Sequence, residues 1–70
     1  MHNDPTRLER YYAALALEQD SYDDALAAIR AEHASGRITA AEATAERAGL
    51  LEAHQGRLAA LRAEHLGEPT

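Results

Sequence analysis

The stretch His33-Ala34-Ser35-Gly36-Arg37-Ile38-Thr39-Ala40-Ala41-Glu42 decides the fold, because it is the one interior place where the chain leaves a helical pattern and enters another. Gly36 tolerates the positive φ that ends a helix in a left-handed cap, where any other residue brings its Cβ too close to a carbonyl. Three residues later Thr39 and Glu42 form a Thr-x-x-Glu capping box, in which the hydroxyl accepts the Glu42 amide and the carboxylate accepts the Thr39 amide. Ile38, just before the cap, is placed to pack onto the first turn of the new helix at Ala43 or onto the end of the old one. A connection this short makes the two arms antiparallel.

Working back toward the N-terminus, Asp4 followed by Pro5 reads as a helix start, with an acceptor at the cap and a proline at the first helical position. From there Leu8, Tyr12, Leu15, Gln19, Tyr22, Leu26, Ile29 and His33 recur at alternating steps of four and three, with Tyr11 at the border. This heptad stripe stays in phase to the end of the arm. Against it stands Asp20-Ser21-Tyr22-Asp23-Asp24, where Ser21 and Asp24 are spaced as a second capping box. The unbroken stripe and the absence of Gly or Pro favour one helix over 5–34, with a kink near Asp20 as the alternative.

Working forward, a turn over 35–38 leads to a helix over 39–66. Its stripe carries Ala40, Ala43, Arg47, Leu50, Leu51, His54, Leu58, Leu61 and His65, and Gly67 with Pro69 ends it. The other side of this arm is a strip of small residues, Ala45, Gly49, Ala53, Gly56 and Ala60, two of them glycines that cost about 1 kcal/mol each against alanine in a helix interior. Such a strip lets a further helix approach closely. Equal rise in both arms pairs residues whose numbers add to about 73 to 76. Leu8 then meets His65, Tyr11 and Tyr12 meet Leu61, Leu15 meets Leu58, Gln19 meets His54, Tyr22 meets Leu51, and Leu26 meets Ala48. The polar interruption of the first stripe, Gln19, falls opposite His54, which predicts a polar layer that sets the register.

The expected class is therefore all-α, an antiparallel helical hairpin forming one domain over 1–70 and dimerising into a four-helix bundle. Doubling is expected because 70 residues without a single Cys barely bury a core that offsets chain entropy. Net charge is −5, and all seven basic residues are Arg. An acidic chain repels a polyphosphate backbone unless its arginines gather on one face, which for nucleic acid requires Arg7, Arg10 and Arg62 to converge, with Arg57, at the open end. Arg in place of Lys, with abundant Ala, fits a GC-rich genome such as that of an actinobacterium or one of its phages. Met1-His2-Asn3-Asp4-Pro5 lacks the basic and apolar regions of a signal peptide, so a cytoplasmic location without membrane contact is expected.

The segment Gly36-Arg37-Ile38-Thr39-Ala40-Ala41-Glu42, preceded by Leu26 and Ile29 and followed by Leu50-Leu51, resembles the SHOCT family and the SHOCT-like domains of actinobacteria. Ala43 departs from that pattern, which has Phe after the Glu. The resemblance covers residues 26–51 and implies a small interaction or oligomerisation module with no catalytic residues to carry over.

Chemistry is sparse. The chain has no Cys or Lys and only Ser21 and Ser35 as serines, which leaves no assembled nucleophile and base. His54 and His65 lie about 16 Å apart along a helix and cannot share an ion, and no catalytic residue, metal site or cofactor is expected. Glu18, Asp20, Asp23 and Asp24 read as a solvated acidic face. The functional expectation is a non-enzymatic module that binds itself and another protein as adaptor, assembly factor or regulator. The alternative is a dimeric nucleic-acid-binding regulator.

Overall fold

A computed structural model describes residues 5–67 and consists of two helices, α1 (Pro5–Ala34) and α2 (Ala40–Leu66), packed against each other as an antiparallel hairpin. No strand occurs among the described residues. Asp4 and Pro69, read as terminal punctuation, lie outside them. The helix α1 runs through Asp20-Ser21-Tyr22-Asp23-Asp24 without interruption. Continuous backbone bonding and a single apolar stripe outweigh the local capping signal, so no second helix starts there.

The connection is built as the local chemistry demands. Gly36 has φ +82°, the only positive φ among the described residues. Its amide donates to the His33 carbonyl at 3.1 Å and the Arg37 amide donates to the Glu32 carbonyl at 2.9 Å. These are the paired bonds of a Schellman cap. The Ser35 hydroxyl adds a bond to the Glu32 carbonyl at 3.0 Å. On the far side of the turn the Glu42 amide donates to Thr39 Oγ1 at 3.0 Å and the Thr39 amide donates to Glu42 Oε1 at 2.8 Å. Both halves of the capping box are therefore formed. Ile38 is half-buried and Ala43 buried beside this turn.

Gly67 follows the last turn of α2 with φ −56° and ψ 145°, an extended conformation. A Cβ there would collide with the Ala63 carbonyl oxygen. The glycine thus ends α2 through close approach of the chain to its own last turn, not through a left-handed cap.

Register and rotation of the helices are separate matters. The observed cross-helix partners are Arg7 and Tyr11 with His65, and Glu18 with His54 and Arg57, with Tyr22 over His54. The same register sets Ile29 opposite Ala43, both buried. The rotation of α1, however, differs from the apolar stripe. Its covered positions are Tyr11, Ala14, Leu15, Glu18, Tyr22, Ala25, Leu26, Ile29 and Glu32, whereas Leu8, Tyr12, Gln19 and His33 are exposed. The line of contact thus runs through 11, 15, 18, 22, 25, 29 and 32, and the stripe overhangs it on one side. On α2 the covered line is Ala43, Leu50, His54, Leu58, Leu61 and His65, and Leu51 overhangs.

The molecule spans 57 × 22 × 8 Å between Cα atoms. Since a helix's own Cα cylinder is about 5 Å wide, the third dimension is a single layer of helix. The radius of gyration, 16.4 Å, compares with about 11 Å for a compact domain of this length.

A Glu18, His54 and Arg57 cluster as candidate functional site

The middle of the hairpin is held by a polar cluster. Glu18 stands on α1 where the leucine stripe is interrupted, and His54 and Arg57 stand one turn apart on α2, on the side that faces it. The His54 side chain is 7% exposed and the Glu18 side chain 10% exposed, whereas the Arg57 side chain is about half exposed. His54 Nδ1 lies 2.8 Å from Glu18 Oε2, and Arg57 Nε donates to Glu18 Oε1 at 2.9 Å. An ionised carboxylate only accepts, so Nδ1 carries the hydrogen in this arrangement. The hydrogen bond to His54, followed by that to Arg57, holds the Glu18 carboxyl below its ordinary range against the opposing effect of desolvation. Tyr22, one turn beyond Glu18, stacks on the His54 ring with centroids 4.1 Å apart and planes 9° from parallel. No buried side-chain nitrogen or oxygen among the described residues lacks a partner.

This arrangement corrects the expected Gln19–His54 layer. Residue 19 lies about 100° further round α1 than residue 18. That step takes Gln19 off the contact line, where its amide donates to Asp23 Oδ1 on its own helix at 3.1 Å. Glu18 likewise departs from the expected solvated acidic face, because its carboxylate is covered between the helices. The available signal was that His54 and Arg57, at i and i+3, form a basic pair whose register partner is residue 18. A carboxylate accepting from both has more to gain there than an amide.

A carboxylate on imidazole Nδ1 is the orienting half of a hydrolytic triad. Here Tyr22 covers the imidazole face, and Ser35 is engaged at the turn. Among the described residues no three His, Cys, Asp or Glu side chains gather as a metal site. The cluster ties α1 to α2 through two hydrogen bonds to one carboxylate.

Beside it, Ala14, Leu17, Ala60 and Leu61 line a shallow apolar groove with Glu18 and Arg57 at its edge. Leu17 is 71% exposed. Of the small-residue strip, Ala60 joins this groove, while Ala45, Gly49, Ala53 and Gly56 are exposed. A Cβ added at Gly49 or Gly56 would meet nothing within 4 Å, so no close approach inside the hairpin accounts for either glycine.

At the open end, Arg7 Nε donates to the His65 carbonyl at 2.6 Å, placing a cation on the C-terminal carbonyls of α2, and Tyr11 packs against the His65 ring at 5.8 Å. Arg62 lies on another side of α2, in a groove with Ala59, Ala63, Leu66 and Gly67. Helical phase turns Arg10 toward the Leu17 side of α1 and Arg62 toward the opposite broad face. Arg57 is bonded to Glu18. Arg7, Arg10, Arg57 and Arg62 therefore lie on different sides of the hairpin.

The class these observations define is a two-helix hairpin with a carboxylate–imidazole–guanidinium clasp between its helices. No family model, no curated protein and no solved structure matches the chain. No helix among the described residues is long and apolar enough to cross a membrane.

Proposed function

We propose that the chain is a non-enzymatic protein-interaction module that acts as a homodimer, serving as an adaptor, assembly factor or regulator. The observation that carries this reading is the surface left uncovered by a single layer of two helices. The chain exposes 5300 Å². A compact monomer of 7.6 kDa exposes about 4,300 Å². The excess, about 1,000 Å², is somewhat more than the ~800 Å² that each partner contributes to a standard protein interface. Exposed Leu8, Tyr12, Leu17 and Leu51 account for its apolar character. The resemblance of residues 26–51 to SHOCT domains points to the same class of activity.

Light scattering across a dilution series, with helicity followed on the same samples, tests the reading. A helical dimer whose helicity falls as it dissociates is the expected result. A helical monomer at tens of micromolar would overturn it.

A further inference from the structure

We infer that the second copy docks on one particular broad face of the hairpin, the one carrying Leu8, Tyr12, Leu15, Leu26, Leu51 and Leu58, and that the opposite face with the Leu17 groove stays outside the dimer. This inference rests on the homodimer reading above and assigns the surface that performs it.

The argument begins with the rotation of the helices. Leu8, Tyr12, Leu15 and Leu26 lie about 40° to 100° from the centre of α1's contact line, all in one sense of rotation. Ala14 and Leu17 lie about 60° and 120° away in the other sense. On α2, Leu51 and Leu58 are offset from the His54 line by about 60° and 40°, whereas Arg57 and Ala60 are offset the opposite way. The groove shows which flanks share a face, because Ala14 and Leu17 of α1 line it together with Arg57 and Ala60 of α2. Leu51 and Leu58 must then share the other broad face with Leu8, Tyr12, Leu15 and Leu26.

The two faces differ in what they offer a partner. The first presents six large apolar side chains drawn from both helices, with the exposed polar Gln19 and Arg62 on the same face. Tyr12 is 61% exposed, Leu8 46% and Leu51 42%, while Leu15, Leu26 and Leu58 are half-buried at the edge of the contact line. Those edge residues make the exposed patch continuous with the hairpin's own core, so a second layer would extend one core instead of adding another. The groove face has Leu17 as its one strongly exposed large apolar side chain, between alanines and beside the charged Glu18–Arg57 pair.

The displacement of the stripe has a direct physical cause in this reading. A stripe that serves only the α1–α2 contact would be centred on it. One that serves two contacts is centred between them, as it is here. A two-fold axis normal to this face pairs the patch with itself, gives four helices in two layers and removes about the area that the single layer leaves exposed.

The experiment compares the faces in the full chain. Tyr12→Glu and Leu51→Glu are expected to raise the dimer dissociation constant at least a hundredfold by sedimentation equilibrium, since each substitution is present twice in a two-fold interface. Leu17→Glu should change it less than threefold, and circular dichroism should show helicity retained at concentrations where each variant remains dimeric. The chain contains no cysteine, so Tyr12→Cys and Leu17→Cys variants provide a second reading that needs no disruption of the dimer. A thiol reagent should modify the residue-12 cysteine slowly at high protein concentration and faster on dilution, and the residue-17 cysteine at one rate throughout. If the wild type is a monomer, the homodimer reading fails and this inference with it. A wild-type dimer broken by Leu17→Glu, or one that protects position 17 and not position 12, overturns only the choice of face.

Discussion

Removing the Thr39 hydroxyl tests whether the turn chemistry sets the hairpin. In Thr39→Ala the Glu42 amide loses its acceptor at 3.0 Å, while the Glu42 carboxylate can still accept the Thr39 backbone amide at 2.8 Å. Loss of a Thr cap costs about 1 kcal/mol. Unfolding entropy of about 2.1 cal/mol/K per residue over 70 residues amounts to about 0.15 kcal/mol/K, so the melting temperature should fall by about 7 °C. The assay is thermal unfolding by circular dichroism at one fixed protein concentration, because a dimer's melting point moves with concentration. Glu42→Ala should also destabilise, by loss of the reciprocal bond and of an acidic residue in the first turn. Since the two bonds hold the same frame, the double variant should depart from additivity by about 0.5 kcal/mol or more. A fall of less than about 2 °C for Thr39→Ala, or additive singles, would refute the view that this box, with the Gly36 cap, defines the hairpin.

Two further outcomes follow from the clasp. The Glu18 carboxyl is held below its ordinary value in the folded chain, so its contribution is fully present above the unfolded carboxylate value and is lost as pH falls through the folded one. Denaturant melts from pH 7 down through the acid range should lose stability, and Glu18→Gln should flatten that limb; an unchanged acid limb counts against the clasp. His54→Leu should lower the melting temperature even though leucine is the better core residue, because it strips one donor from a mostly covered carboxylate and removes the Tyr22 stack. A variant that melts higher than the wild type would show that the imidazole contributes nothing to holding the two helices.

The exposed apolar overhang links these effects to assembly. If a second copy covers the Leu8–Tyr12–Leu51 face, the clasp stays within one layer beside the outer groove, and its loss reaches the dimer through the register it maintains. The Leu17 groove lies on the opposite face of the same layer.

Sequence by itself determined the all-α class, the single continuous α1, the Gly36 cap, the Thr39–Glu42 box and the approximate register. These are local or one-dimensional properties: a cap involves residues within six positions, and register follows from equal rise once the turn is placed. Tertiary structure decided the rotation of α1 about its own axis. That choice put Glu18 in place of Gln19 against His54, recruited Arg57, and left Leu8 and Tyr12 outside the contact line. Rotation is set by which side chains fill the space between two particular helices, and an apolar stripe reports the sum of all the surfaces a helix must cover. Where one stripe serves a partner helix and a further surface together, its centre marks neither, and only the packed pair shows how the residues divide between them.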